Sequence, residues 1–269
     1  MPVVATRDLV GRRRWDTRWS VSAPFSRDTQ RYLDQRWIEL FSRLVPQHAL
    51  VLEAGCANSH WLPELARWWQ CRVMGLDYSL PGCRQASRRL AEAGEAGWII
   101  CGDLLAAPLS AAFEGDLVMS FGLVEHFDLP SIAIKALGKL VRPGGYLLTV
   151  VPNMAGVVGW GQWLASRRIY HEHLRFTCSS LQVAHEEAGL VVTSCVPFGT
   201  WNPWVINLEG LRQPWRRIWQ AAINRIAEIG WWYCQRWRLR IENHCWSPYL
   251  VCVAQRHEET KEERRASRP

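Results

Sequence analysis

The sequence predicts an α/β protein with a doubly wound, mostly parallel sheet, and three observations carry that prediction. Val51-Leu-Glu-Ala-Gly-Cys-Ala-Asn-Ser59 reads as a buried strand over 49–54, a tight glycine-containing turn and then an amphipathic helix from Trp61 to Trp69. Strand-like and helical segments then alternate as far as residue 151, the pattern of parallel strands joined by right-handed helical crossovers. Acidic residues recur at predicted strand ends, with Glu53 near the end of the first strand and Asp77 and Asp103 at the next two. The carboxyl ends of such strands are where open α/β sheets bind ligands.

Taken in order, residues 1–30 form a polar, basic arm with Arg12-Arg-Arg14 and the Trp15/Trp19 pair, read either as a loosely packed arm or as a lid over the site. Residues 31–44 have helical spacing (Leu33, Trp37, Leu40, Phe41, Leu44) and stop before Pro46. Strands follow at 49–54, 72–77, 98–102, 115–121 and 145–151, with helices at 60–70, 80–93 and 129–141. Arg142-Pro-Gly-Gly145 is expected to be the turn before the fifth strand. A long connection, 152–176, leads to a helix at 178–188, a strand at 190–196 and a last strand at 249–255.

The connection between those two strands, 198–248, is too long to be structureless. From Pro214 the residues Trp215, Ile218, Trp219, Ala222, Ile223, Ile226, Ile229, Tyr233 and Trp237 keep helical spacing, with Arg212, Arg216, Arg217 and Arg225 expected on the opposite face. Gly230 could break that helix in two. The organisation expected is therefore an arm (1–30), one domain (31–256) carrying a Trp-rich helical insertion (198–248), and a charged, disordered tail (257–269).

Seventeen tryptophans in 269 residues are unusual and cluster late in the chain. Nine cysteines form no C-x-x-C pair, which fits reduced, buried thiols and a cytoplasmic location. The N-terminus lacks the apolar core of a signal peptide, and no apolar run reaches the ~18 residues of a spanning helix. A net charge of +7 and a pI of 9.1 suit an anionic partner without identifying one.

The four segments 51–59, Gly75-Leu-Asp77-Tyr78, Cys101-Gly-Asp103-Leu104 and Asp116–Phe127 together resemble the class I S-adenosylmethionine-dependent methyltransferases of the small-molecule "type 11/12" kind, over roughly Tyr32 to Val196. The resemblance implies a Rossmann-like, seven-stranded sheet whose antiparallel last strand slips between the two before it, with S-adenosylmethionine as cofactor. It implies that Glu53 faces the methionine amine, that Gly55 lets the backbone approach, and that the next helix N-terminus receives the carboxylate. Asp77 would accept both ribose hydroxyls, Tyr78 and Leu104 would pack on the adenine, and Asp103 would accept from its amino group. Phe121 and Gly122 would pass beneath the methionine portion. Ala57 and Ser59 stand where glycines are common, and Ala57 is small enough to keep the turn. The absence of G-x-G-x-x-G excludes the nicotinamide reading.

For the acceptor side, His126 in Phe121-Gly-Leu-Val-Glu-His-Phe127 is the first candidate base, since unperturbed imidazole titrates near neutrality. The bland alternative is that Glu125-His126 structures its loop. His171 and His173 of Tyr170-His-Glu-His173 could contact the acceptor, cap the next segment or form a metal pair, although an isolated H-x-H is a weak metal signal. No metal is expected: ubiquinone-pathway enzymes with a similar Glu-His pair use a further upstream glutamate, where this chain has Gly122. The insertion could be a helical cover whose tryptophans make core, an interfacial helix on anionic lipid, or a partner surface; its helical periodicity argues against nucleic-acid stacking. The function expected is methyl transfer to an oxygen or nitrogen of a small or lipid-linked acceptor, in the cytoplasm or at the inner membrane face. The alternative is an inactive scaffold or membrane-associated binding protein on the same fold.

Overall fold

The computed structural model describes residues 6–21, 31–106, 109, 113–200 and 202–257. The expected disordered tail, apart from His257, and both ends of the arm lie outside the described residues.

Alternation along the strands decides the layers. In β1 (Leu50–Ala54) Val51 joins one core cluster while Leu52 and Ala54 join the other; in β4 (Gly115–Phe121) Leu117 and Met119 oppose Val118 in the same way. With β2 (Arg72–Asp77), β3 (Gly97–Cys101), β5 (Val141–Pro152), β6 (Val191–Phe198) and β7 (Tyr249–Gln255) these form one seven-stranded sheet in the order β3-β2-β1-β4-β5-β7-β6. The first five strands run parallel, and β7 is antiparallel to both β5 and β6, as the resemblance implied.

Three helices cover one face: α2 (Arg31–Leu44) through Trp37 and Phe41, α3 (Trp61–Trp69) through Trp61 and Leu65, and α4 (Leu80–Glu92) through Ala86 and Leu90. The other face is covered by α5 (Pro130–Lys139) and α8 (Cys178–Glu187), through Ile134, Leu137, Leu181 and Ala184. Each fully buried side chain of this size contributes roughly 1.5–3 kcal/mol. Trp37 is the hub of the first face, with ring contacts to Phe41, Trp61, Phe121, Phe198 and Tyr249.

Three expectations are corrected. Arg142–Gly145 is not a turn ahead of the fifth strand: β5 starts at Val141, which pairs with Gly115, and a register shift between Gly115 and Leu117 absorbs the irregularity. Backbone bonds from Gly144 to the Arg256 carbonyl and from Arg256 to the Gly145 carbonyl hold this bulged start. Gly230 does not divide the insertion helix, since α9 (Trp215–Trp237) is continuous. Nor do its tryptophans make core: α9 buries only Ile223, Ala227 and Cys234, while Trp215, Ile218, Ile226, Ile229 and Trp237 are exposed.

The described part of the arm is folded: α1 (Arg12–Val21) lies against α4, and an antiparallel bridge pairs Asp8 with Phe127. The 152–176 connection holds α6 (Val157–Ala165) and α7 (Arg167–His171). All nine cysteines are free, and among the described residues no helix is long and apolar enough to cross a membrane.

One close approach ties the fold to the site. A Cβ on Gly82, in the first turn of α4, would stand inside van der Waals contact of the Ala57 Cβ and 3.1 Å from its Cα. Gly82→Ala is therefore expected to lower stability by about 1–3 kcal/mol, read as a fall in the midpoint of urea unfolding, because neither backbone can yield.

Candidate active site

β1 and β4 are adjacent in the sheet, and the chain leaves them toward opposite edges, so a crevice opens at their carboxyl ends. A cavity of 460 Å³ fills it, within the size range of ligand pockets. Glu53, Gly55, Asp77, Tyr78, Asp103, Leu104, Phe121 and Gly122, all singled out from sequence, line it together. Ala57 does not; its methyl packs toward Gly82 of α4, and only its backbone serves the site.

Asp77 closes the turn. Its Oδ2 accepts the Ala57 N–H (3.1 Å) and its Oδ1 the Ser79 N–H (2.7 Å), while the Ser79 hydroxyl accepts the Gly82 N–H (3.3 Å) and caps α4. Gly55 takes φ +75°, a conformation that favours glycine. Ser59 donates its hydroxyl proton to the Glu53 carboxylate and accepts the Leu62 N–H (3.1 Å) at the start of α3. Burial pushes the Glu53 carboxyl up to about 8, with Ser59 opposing and Asp77 adding to the rise. Burial also raises Asp77, against its two backbone hydrogen bonds.

The far end is more open. Asp103 is exposed and accepts the Leu105 N–H (2.9 Å), and Tyr78 donates its hydroxyl to Asp8 on the arm. Asp8 and Asn58, whose buried Oδ1 has no hydrogen-bond partner, also line this cavity and carried no sequence signal beyond proximity. The donor set fits S-adenosylmethionine: an acid for an amine at Glu53, a two-oxygen acceptor at Asp77, an unsatisfied amide oxygen at Asn58 and a Cβ-free backbone at Gly55.

A second cavity of 310 Å³ shares Trp15, Trp19, Phe121, Gly122 and His126 with the first. Its other walls come from α1 (Arg14, Arg18), the β5–α7 connection (Met154, Gln162, Ile169), the segment just after α7 (Glu172, His173), the insertion (Val205, Asn207) and β7 (Tyr249). Arg14 is paired with Glu172 at 2.9 Å.

His126 and His173 meet there with ring centroids 4.6 Å apart, and the Trp15 ring stands edge-on to His126 at 5.0 Å. His126 Nδ1 lies 2.9 Å from the Glu172 carbonyl and His173 Nδ1 lies 2.7 Å from the Ile169 carbonyl. A carbonyl only accepts, so each Nδ1 donates and each Nε2 keeps a bare lone pair. Burial, followed by the charge of His173, pushes His126 down to about 3, against the bond from Glu172. The titration near neutrality expected for His126 is therefore absent; the sequence could not show that α1 would bury the ring. His171 does not join the pair: it is exposed, stands edge-on to Tyr170 and lines neither cavity.

The sequence reading paired Glu125 with His126 but gave it no catalytic or cofactor role of its own. Glu125 is 1% exposed, neither carboxylate oxygen has a hydrogen-bond partner, and burial pushes the carboxyl up to about 8. Glu125, His126 and His173 hold one ligand atom each within 4.8 Å of one another, the arrangement among the described residues that could hold a metal ion.

The chain matches the family model of a methyltransferase domain over residues 29–195. No curated protein matches it in sequence. Among solved structures it is similar to the N-methyltransferase NodS of Bradyrhizobium japonicum in complex with S-adenosyl-L-homocysteine, at 16% identity and a TM-score of 0.58, covering 94% of this chain and 100% of that one. It is similar to the 4+2 cyclase SpnF at 14% identity and a TM-score of 0.61, covering 89% and 86%. An O-methyltransferase family protein of Burkholderia thailandensis matches at 17% identity and a TM-score of 0.53, covering 87% of this chain and 59% of that one. At such identities the likeness is one of fold.

A buried carboxyl without partners destabilises its own fold. Glu125→Leu is accordingly expected to raise stability by about 1–3 kcal/mol in thermal unfolding without added metal, and to abolish turnover. A loss of stability would mean that the carboxyl is satisfied in solution.

Proposed function

Because the chain belongs to the methyltransferase-domain family and is a class I methyltransferase that uses S-adenosylmethionine, we propose that it passes the methyl group to an oxygen or nitrogen of an acceptor seated in the second cavity. The observation that carries this reading is the shared wall: Trp15, Trp19, Phe121, Gly122 and His126 belong to both cavities, so a donor in one and an acceptor in the other meet across it.

Bound in the first cavity, S-adenosylmethionine supplies a methyl group activated by a sulfonium. On our reading Glu53 faces its amine, Asp77 accepts its ribose hydroxyls, Asp103 accepts from its adenine amine, and Tyr78 and Leu104 pack on the ring. Gly55, Phe121 and Gly122 let the backbone pass close to the methionine portion. The role of α1 is that of a lid: Trp15 and Trp19 close both cavities, and displacement at a sulfonium gains from orientation and from excluded water. His126 and His173 stand on the acceptor side with their bare Nε2 atoms, and His171 has no part in it.

One observation favours a lipid-linked acceptor over a freely soluble one. Apart from the buried Ile223, the residues of α9 that keep helical spacing form one apolar stripe that is exposed, Trp215 at 61% and Trp237 at 60%, with exposed Arg216, Arg217, Arg225 and Arg236 around it. Interfacial helices have this composition, tryptophans at headgroup depth and arginines on anionic lipid, the latter contributing about 1 kcal/mol each. The segment that carries this helix also walls the second cavity through Val205 and Asn207. A membrane-bound α9 would place that cavity near the lipid headgroups.

Two measurements test these readings. Calorimetric titration of S-adenosylmethionine should show binding weakened about 100-fold or more by Asp77→Ala, at ~1.5 kcal/mol for each of two lost hydrogen bonds. Asp103→Ala, which leaves the turn untouched, should cost about tenfold. Unchanged affinity in both variants would remove the assigned cofactor contacts. Separately, the protein should co-sediment with phosphatidylglycerol vesicles but not with phosphatidylcholine ones. The triple variant Trp215→Ser, Trp219→Ser, Trp237→Ser should lose this, and equal binding by that variant would exclude α9 as the contact.

A further inference from the structure

We propose that Glu125, His126 and His173 form a binding site for a divalent transition-metal ion whose open positions face the second cavity and take an oxygen or nitrogen of the acceptor. Its role rests on the acceptor reading of that cavity; its existence does not.

The geometry is near that of a bound ion. His126 Nε2 and Glu125 Oε1 are 3.9 Å apart, and the three ligand atoms lie within 4.8 Å of one another. Two ligands each ~2.1 Å from one ion at the tetrahedral angle are ~3.4 Å apart, so side-chain shifts of up to about 1.4 Å close the set.

The surroundings are those of ligands held in waiting. Metal-binding histidines characteristically donate their second ring N–H to a carbonyl or carboxylate, which fixes the tautomer and aims the other nitrogen. Both histidines do this, to the Glu172 and Ile169 carbonyls. The two segments are also joined directly, since the Leu174 N–H donates to the Glu125 carbonyl at 2.8 Å. The third ligand is a buried carboxylate with both oxygens unpartnered, an arrangement that costs stability unless a cation completes it. The nearby Arg14 is neutralised by Glu172.

Donor type narrows the ion. Two imidazoles and one carboxylate suit zinc, cobalt, manganese or ferrous iron rather than magnesium or calcium, which prefer all-oxygen sites. Three protein ligands leave coordination positions open, as reactive metal sites do and structural ones do not. His126 lines both cavities, which puts such an ion at the wall that donor and acceptor share.

Cobalt(II) separates this site from the nine cysteines, because nitrogen and oxygen ligation gives visible d–d bands without the thiolate charge-transfer band. The full-length protein, stripped with EDTA, should take up one equivalent of Co2+ with that spectrum. His173→Gln and Glu125→Gln should each weaken uptake by tenfold or more. S-adenosylmethionine titrated into His173→Gln should bind as in the wild type, since His173 does not line the first cavity, and this shows that the variant is folded. No uptake, a thiolate spectrum, or uptake indifferent to His173→Gln would overturn the site. Cobalt uptake by a wild-type protein that fails to bind S-adenosylmethionine would leave the ion site standing and overturn the assigned cofactor contacts instead.

Discussion

The carboxylate of Asp77 is the constraint from which the rest of the site follows. One oxygen holds the backbone of the β1–α3 turn through Ala57, and the other holds Ser79, the residue that caps α4. These bonds join the ends of two adjacent parallel strands and seat Gly82 against Ala57. Two backbone N–H donors leave the carboxylate with lone pairs still directed to the cavity. The structural clamp is thus also part of the cavity wall, so the turn cannot drift without moving that wall.

Around that clamp the molecule concentrates groups that the protein alone does not satisfy. Glu53 and Glu125 are both buried acids held well above the usual carboxylate range, Asn58 keeps an unpaired oxygen, and His126 and His173 keep unpaired nitrogens. None of this helps folding, since buried polar groups without partners are destabilising. The sheet provides the compensation through the two apolar layers on its faces. All of these groups are relieved by positive charge or by hydrogen-bond donors. On the proposed roles, the donor's amine would provide both at Glu53 and a cation would provide charge at Glu125.

Much of this was legible in the chain, for definable reasons. Near-continuous apolar runs leading into Glu53, Asp77 and Asp103 located the strands and the crevice, because burial on both faces of a parallel sheet leaves a strong local signature. Ser59, a departure from the glycine pattern, proves to hold Glu53 and to accept the Leu62 N–H at the start of α3, and the first of these requires contact between residues six apart. What failed depended on partners distant in sequence. His171 and His173 are indistinguishable as a motif, and only the turn of α7 sends one inward and the other to solvent. Arg142–Gly145 carries every local mark of a turn, yet pairing with Gly115 and Arg256 draws it into the sheet. The periodicity of α9 was read correctly as a helix, while what its apolar face meets stayed open among three readings, because spacing reports that a face is apolar and not what covers it.

The division between the two cavities follows the division between family and chain. The family match ends at residue 195, and apart from the arm residues Thr6, Asp8, Trp15 and Trp19 the donor cavity is built within it. The acceptor cavity draws Arg14, Trp15, Arg18 and Trp19 from before the match and Val205, Asn207 and Tyr249 from after it. Structural relatives of the same fold are named for nitrogen transfer, oxygen transfer and a cyclisation, so the shared scaffold leaves the acceptor open. Specificity in this protein must then come from α1, from the segment leading into α9, and from the Glu125–His126–His173 cluster between them. The arm residues are both the roof of the donor site and a wall of the acceptor site, so closing over one ligand shapes the pocket for the other. A substitution at Trp15 or Trp19 would consequently alter donor affinity and acceptor choice together, whereas one at Val205 or Asn207 would alter acceptor choice alone.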